Sequence, residues 1–317
     1  MLANTLRAIQ RHAAWALIGG ALLGLLVPAL AELMRPLLTP SILALLTVSL
    51  VLLDVRQLRL TTRRPVFLGL AVLWLMLGMP LLVFGLVLVL EPGALWREIL
   101  ILTAAAPPIL SIAAFAQIVG LGTTLSLSLM VVATFMLPFT LLPLAAFMLG
   151  IDLSGELGAF LLRTVSMLGI PVLLAWLIRR ALPDGRRLAF HLEISGLGVV
   201  CLGVFAVALM DGATARLVDQ PLLVGGMVMV AFLLLLGGQV VTYLLAAPFV
   251  RREEAMTLAL CAGNRNMGLM LALTMDFTQP AFVTYVAVYQ IPVFCLPALQ
   301  KPLVAWWLRR RTRGLAP

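Results

Sequence analysis

Charge is scarce in this chain. Asp, Glu, Lys and Arg make up 11% of its 317 residues, against 63% hydrophobic residues. A soluble domain of this size has no means of hiding so much apolar surface, so the composition points to a polytopic membrane protein. Long hydrophilic loops are missing, and with them any separate soluble domain. Cysteine occurs three times, at Cys201, Cys261 and Cys295, always in apolar runs and never with C-x-x-C spacing. That excludes a disulfide framework and reads as buried structural thiols. Only two histidines are present, His12 and His191, and no carboxylate lies in the middle of an apolar run. A membrane-embedded enzyme would need paired acids, a metal cluster or a Ser/His/Asp set at one depth. An enzyme is therefore not expected, and neither is a cofactor or a metal. The net charge of +9 does not speak for nucleic acid, because the bases cluster in alternate short loops and no basic domain exists.

What the chain does have is a series of apolar runs long enough to cross about 30 Å of hydrocarbon. They lie near 13–33, 37–54, 65–90, 99–119, 122–149, 157–178, 191–210, 221–250, 255–275 and 281–308. The first reads as a retained helix, not a cleaved signal. With the N-terminus inside, the cytoplasmic segments hold Arg7, Arg11, Arg56, Arg59, Arg63, Arg64, Arg179, Arg180, Arg186, Arg187, Arg251, Arg252, Arg309, Arg310, Arg311 and Arg313. The outer segments hold Arg35, Arg97, Arg163 and Arg216. Sixteen against four is a positive-inside bias, and losing one span would scramble it. The expectation is ten spans in the lipid bilayer of a plasma membrane (the inner membrane of a bacterium), with both termini cytoplasmic. Trp306 and Trp307 fit an interfacial anchor.

The helix breakers recur in order. Gly78-Met79-Pro80 in the third run answers Gly237-Gly238-Gln239 in the eighth. Pro107-Pro108 in the fourth answers Gly263-Asn264-Arg265-Asn266 in the ninth. Pro138 and Pro143 in the fifth answer Pro292 and Pro297 in the tenth. Pro80 and Pro108 are 28 residues apart, as are Gly238 and Asn266. The pattern predicts an all-α membrane protein of two halves, 1–150 and 151–317, each with five spans. Because five is odd, the second repeat is inverted relative to the first. Pro107 and Pro108 remove two backbone donors and disfavour helix before them, while Gly263 and Gly268 flank the ninth-span break. Broken helices at matched positions point to a substrate site near the membrane midplane. Half-helix N-termini there suit an anion.

Three passages carry a family resemblance: Trp74-Leu75-Met76-Leu77-Gly78-Met79-Pro80; Ala106-Pro107-Pro108 followed by Gly122-Thr123-Thr124-Leu125-Ser126-Leu127; and Gly263-Asn264-Arg265-Asn266-Met267-Gly268-Leu269. In these the chain resembles the bile acid:sodium symporter family and its bacterial homologues. The resemblance implies that broken helices four and nine cross in a core domain of spans 3–5 and 8–10. This core moves against a panel domain of spans 1, 2, 6 and 7. It also implies a small organic anion as substrate, driven by sodium. At the cation site the chain departs from the family. The positions of its ligands fall on Leu75, Ile112, Ala113, Met130 and Cys261, with Ser126 retained, and Arg265 stands in place of a glutamine. Hard cations need oxygen ligands, so this substitution pattern counts against sodium coupling of the familiar kind.

Arg265 is the most informative residue. Arginine stays protonated and forks onto a carboxylate, sulfate or phosphate. One expectation is that Arg265, with Asn264 and Asn266, takes the anionic group of a substrate and replaces the coupling cation. N–H groups near Leu110 and Ser111 would complete the site, and Ser126 would line it. The other is that Arg265 caps carbonyls of the broken fourth helix or pairs with an acid, the candidates being Glu253, Glu254 and Asp276. The expected function is a secondary active transporter or exchanger of a small organic anion by alternating access. The alternative is a sodium- or proton-coupled carrier of the same fold for another substrate, such as a metalloid oxyanion. A channel, which wants pore-lining rings, and an embedded enzyme rank below both.

Overall fold

The computed structural model describes residues 5–6, 13–53, 64–150 and 157–309. Arg7, Arg11, Arg56, Arg59, Arg63, Arg310, Arg311 and Arg313 lie outside the described residues, as does the chain just after the expected repeat boundary, 151–156. The side chains of Trp306, Trp307 and Arg309 also lie outside them.

All regular elements among the described residues are helical. In chain order they are α1 (Ala13–Leu26), α2 (Pro28–Met34), a 3-10 turn (Arg35–Leu37) and α3 (Leu38–Leu52). Next comes α4 (Pro65–Leu73), which runs through a π-helical turn (Trp74–Gly78) into α5 (Met79–Leu90). Then follow α6 (Ala94–Ala105), α7 (Ile112–Val119), α8 (Thr123–Leu149), α9 (Leu157–Ala181), α10 (Asp184–Ala189) and α11 (His191–Leu209). The last are α12 (Ala213–Asp219), α13 (Pro221–Ala246), α14 (Arg252–Gly263), α15 (Met267–Thr274) and α16 (Pro280–Arg309). Helices α2, α4, α13 and α16 open on proline, whose missing N–H is no loss in a first turn. Helices α7 and α8 close on left-handed Gly120 and Gly150, with φ of 89° and 68°, where a side chain would be strained.

Seven helical runs among the described residues are long and apolar enough to cross a membrane: Pro28–Leu52, Pro65–Leu90, Thr123–Leu149, Phe160–Ala181, His191–Leu209, Pro221–Ala246 and Pro280–Ala305. This is the make-up of a multi-pass membrane protein. Large side chains stand bare on these helices, Leu222 at 91% and Val89 at 79% exposure among them, a surface that suits lipid and not water. The expected spans at 99–119 and 255–275 are absent from the seven because each is a pair of short helices with an extended gap. The expected first span, 13–33, is broken at Val27 into α1 and α2.

The chain packs as two compact units. The first comprises Met1–Asp54, Asp152–Gly226 and Gly268–Ala287. Within it, α1 and α3 both pack on α11. A Cβ on Gly20 would lie 3.1 Å from the Gly203 carbonyl oxygen, and one on Gly24 would lie 2.8 Å from that of Val207. At the other end of α11, a Cβ on Gly198 would lie 3.1 Å from Val48. Arg35 pairs with Asp211 at 3.2 Å, beyond the end of α11 that Gly24 meets. A straight rod from 13 to 52 would be about 60 Å long, twice the length of α11. The chain therefore doubles back near Arg35–Leu37, and α3 returns along α11. Glycine is what lets these backbones approach without a hydrophobic drive between helices in lipid. Arg179 on α9 donates to the carbonyls of Leu50 and Leu53, both at 2.9 Å, closing the end of α3.

The second unit comprises Val55–Ile151, Met227–Met267 and Val288–Pro317. It contains both extended gaps. Around them the chain is buried throughout 101–108 and 257–267. Irregular backbone at membrane depth is tolerated only where protein covers it.

Two glycines of α1 provide a test. Gly24→Ala forces a Cβ onto the α11 backbone and is expected to cost about 1–3 kcal/mol. Gly19→Ala meets nothing within 4 Å and is expected to be neutral or slightly stabilising. Thermal unfolding of the two purified variants compares them.

Candidate functional site

The second unit holds the residues that the sequence singled out, apart from Gly268. Ala106 is extended, as the residue before a proline must be (φ −65°, ψ 142°). From Ala106 to Ser111 the chain is not helical, and the same is true of Asn264–Asn266. These two gaps lie side by side as one antiparallel bridge, Pro108 opposite Arg265. The Ile109 N–H donates to the Asn264 carbonyl at 2.9 Å, and the Asn266 N–H donates to the Pro107 carbonyl at 2.7 Å. Each interruption thus satisfies groups that the other leaves open, which hydrocarbon cannot do. Asn264 Nδ2 closes the end of α14 on the Leu260 carbonyl at 2.9 Å.

Arg265 lies across this bridge, 2% exposed. Its Nε donates to the Ala262 carbonyl at 2.6 Å. Its Nη1 donates to the carbonyls of Ala106 at 2.8 Å and Leu75 at 3.1 Å. The guanidinium therefore joins the end of α14, through Nε, to the end of α6 and the π-helical turn before α5, through Nη1. Such turns inside helices often mark functional sites. Nη2 is buried without a hydrogen-bond partner among the described residues, as is Oδ1 of Asn264.

The acids weighed as partners are engaged elsewhere. Glu254 pairs with Arg64 at 2.5 Å and Arg251 at 2.9 Å. Glu253 accepts the Gly122 N–H at 3.2 Å. Asp276 pairs with Arg163. Glu254 is also eleven residues before Arg265, roughly 16 Å along a helix. The bonds of Arg265 are instead those of a pin on backbone carbonyls.

The other sequence-derived residues fall at varied distances from this group. Leu75 is fully buried and contributes its carbonyl, not its side chain. Leu110 and Ser111 are half-buried at the start of α7, followed by buried Ile112 and half-buried Ala113. Cys261 is fully buried in α14, and Met130 is buried in α8. Ser126 is also fully buried, but its hydroxyl donates to the Thr123 carbonyl at 2.9 Å within its own helix. Gly263 serves close approach: a Cβ there would lie 2.5 Å from the Leu235 carbonyl oxygen of α13. Gly268 is buried one residue into α15.

Sequence reasoning missed Tyr289. Its hydroxyl donates to the Gly263 carbonyl at 2.7 Å and accepts the Arg265 N–H at 3.3 Å, bridging the break. The signal was a tyrosine within an apolar run, since a buried phenol must find a partner. Gln239 of α13 bonds helix to helix: it accepts from Gln300 of α16 at 2.5 Å, and its Cγ is what a Cβ on Gly263 would strike. A cleft of about 660 Å³ lies at the far end of α14, lined by Arg64, Phe249, Arg251, Arg252 and Glu254 among others, and includes none of the bridge residues.

Two outcomes follow from this geometry. Tyr289→Phe leaves a buried carbonyl and N–H unsatisfied and is expected to destabilise by about 1–3 kcal/mol, read as a lower unfolding temperature. Glu254 sits at the polar start of α14. Burial alone would raise its pKa, but the Arg251 side chain and N–H, with Arg64, hold it below the usual 4.5. A depressed carboxyl stabilises the fold above its unfolded pKa, and that stability is lost as pH falls through the folded value. Wild type is expected to lose thermal stability below about pH 5 more steeply than Glu254→Gln. No protein-family model and no curated protein matches the chain.

Proposed function

We propose that the chain is a secondary active transporter or exchanger of a small organic anion, working by alternating access. Its residence would be a bacterial inner membrane, with both termini cytoplasmic. In this reading the ten apolar runs are ten spans in two inverted repeats, those at 99–119 and 255–275 being spans as broken pairs. Spans 3–5 and 8–10 form the moving core, and spans 1, 2, 6 and 7 form the panel. The family resembled is that of the bile acid:sodium symporters.

The observation that carries the proposal is the buried, permanently charged guanidinium of Arg265, with Nε and Nη1 held by carbonyls and Nη2 left unsatisfied. A buried donor without a partner is costly, and a buried charge is more so. A carboxylate or sulfate placed on Nη2 removes both costs. The start of α7 adds a positive helix end, its Ile112 N–H being taken by the Ile109 carbonyl at 3.0 Å. A fixed cation at this position makes a co-transported one unnecessary for anion binding. Proton coupling through a carboxylate finds no support, because Glu253, Glu254 and Asp276 have other partners.

Reconstituted vesicles provide the test. Wild type is expected to show uptake of a small organic anion that accelerates when unlabelled anion is present on the far side, as a carrier does and a channel does not. Arg265→Gln is expected to reduce uptake at least about tenfold, the equivalent of about 1.4 kcal/mol. Undiminished uptake in Arg265→Gln removes Arg265 from the substrate role.

A further inference from the structure

We propose that the cleft at the start of α14 binds the phosphate of an anionic phospholipid, with the lipid's chains lying along Phe249. The inference is independent of the transported substrate and of Arg265.

The first observation is a concave surface with an excess of positive charge. The cleft has a volume of about 660 Å³, and its lining sets Arg64, Arg251 and Arg252 against one carboxylate, Glu254. That volume is typical of small-molecule sites. All four residues belong to the second unit.

The second is convergence. Arg64 Nη1 and Arg251 Nη2 donate to the same oxygen, Glu254 Oε1, at 2.5 and 2.9 Å. Two guanidinium groups drawn to one atom are near enough for a single phosphate to reach both. Glu254 offsets only one of their charges. Each guanidinium gives it one nitrogen, so further donors remain on both. Both side chains are open to the outside, Arg64 at 56% and Arg251 at 76% exposure. Arg64 is also steadied by Phe67, whose ring centre lies 4.7 Å from the guanidinium carbon. A cation fixed beforehand loses less freedom when a ligand arrives, and arginine forks onto phosphate oxygens. Glu253 does not oppose this, since its carboxylate accepts the Gly122 N–H.

The third is depth. Pro65–Leu90 and Pro221–Ala246 are both long and apolar enough to cross a membrane. Arg64 immediately precedes the first, and residues 247–250 immediately follow the second. The cleft thus stands where two runs leave the hydrocarbon, level with the headgroups. Basic pockets at that level recognise anionic headgroups.

The fourth is an apolar lip. Phe249 is 85% exposed beside the arginines. A free phosphate and a lipid phosphate share the chemistry that the arginines recognise. The bare ring favours the lipid, because only a lipid brings acyl chains to cover it.

The experiment is thermal unfolding of the full-length purified protein in an uncharged maltoside detergent. Three probes are added separately. Dioleoyl phosphatidylglycerol carries the anionic phosphate and the chains. Dioleoyl phosphatidylcholine has the same chains, but its phosphate is balanced by choline. Glycerophosphoglycerol, in large molar excess, is the anionic headgroup without chains. Phosphatidylglycerol is expected to raise the unfolding temperature of wild type by about 3 °C or more, as a ligand of the folded form does, and the other two by less than about 1 °C. Each variant is read against its own midpoint without probe. Arg64→Gln combined with Arg252→Gln is expected to lose at least about half of the phosphatidylglycerol shift. Arg186→Gln, an exposed position of α10 outside the cleft, is expected to keep it.

Equal shifts from the two lipids, or no shift with phosphatidylglycerol, would overturn the proposal. A shift with glycerophosphoglycerol as large as that with the lipid would make this a site for soluble anions and overturn it too. So would an equal loss in Arg186→Gln, which would mean diffuse surface charge and no site. If the double variant does not fold, Phe249→Ala decides. Its phosphatidylglycerol shift is expected to fall to about half or less of the wild-type value, and an undiminished shift overturns the lipid assignment.

Discussion

The structure depends on backbone polar groups that have nowhere to go except to each other. Two helical runs are interrupted within apolar sequence, at Ala106–Ser111 and Asn264–Asn266. Hydrocarbon offers no partner for a free N–H or C=O, and each one left open costs several kcal/mol. The gaps can persist because they are laid side by side as an antiparallel bridge and because the Arg265 guanidinium takes up the carbonyls that the bridge leaves. Pro107 and Pro108 fit this arrangement, since they lack the N–H groups that would need donating. Gly263 fits it by letting the end of α14 approach α13. Tyr289 fits it by bridging the remaining carbonyl and N–H across the break. The near-complete burial of 257–274 is the outer requirement of the same constraint.

The electrostatics follow from where the acids are. Glu254, with Arg64 and Arg251, ties the starts of α14 and α4. Asp276 pairs with Arg163 in the other unit. Among the described residues no acid pairs with Arg265, and its charge faces backbone carbonyls. The two sequence-based expectations for this residue, a pin and a ligand donor, are compatible because a guanidinium donates from three nitrogens. Nε and Nη1 act as the pin. Nη2 remains, and a buried donor of that kind is unusual enough in folded proteins to call for an explanation.

The span count shows how the sequence and the structure differ in kind. Hydropathy reads length and apolarity, and by those measures ten runs qualify. The structure has seven helical runs of that length and composition among the described residues, the first with a corner at Arg35–Leu37, because backbone continuity is a separate property. The breaks at 106–111 and 264–266 were visible in Pro107-Pro108 and in the polar, glycine-flanked Asn264-Arg265-Asn266. The corner near Arg35–Leu37 lies in the short gap between the first two runs, but it emerges only from what each side of it touches on α11. The Gly20 and Gly24 contacts belong to the same class: a glycine in an apolar run does not say which neighbour approaches it.

The sequence by itself determined the membrane class, the places where helices must stop, and that one permanent positive charge lies deep in an apolar stretch. These are local properties of residue type, and physical chemistry allows few alternatives for each. Only the tertiary structure decided what that charge meets. Every residue carries a carbonyl, so nothing in the sequence marks those of Leu75, Ala106 and Ala262. Nor does anything mark Ser126 as turned to its own helix, or Tyr289 as the residue that closes the break. Such choices arise from which backbone ends are brought together and sealed from solvent, and that is a property of packing.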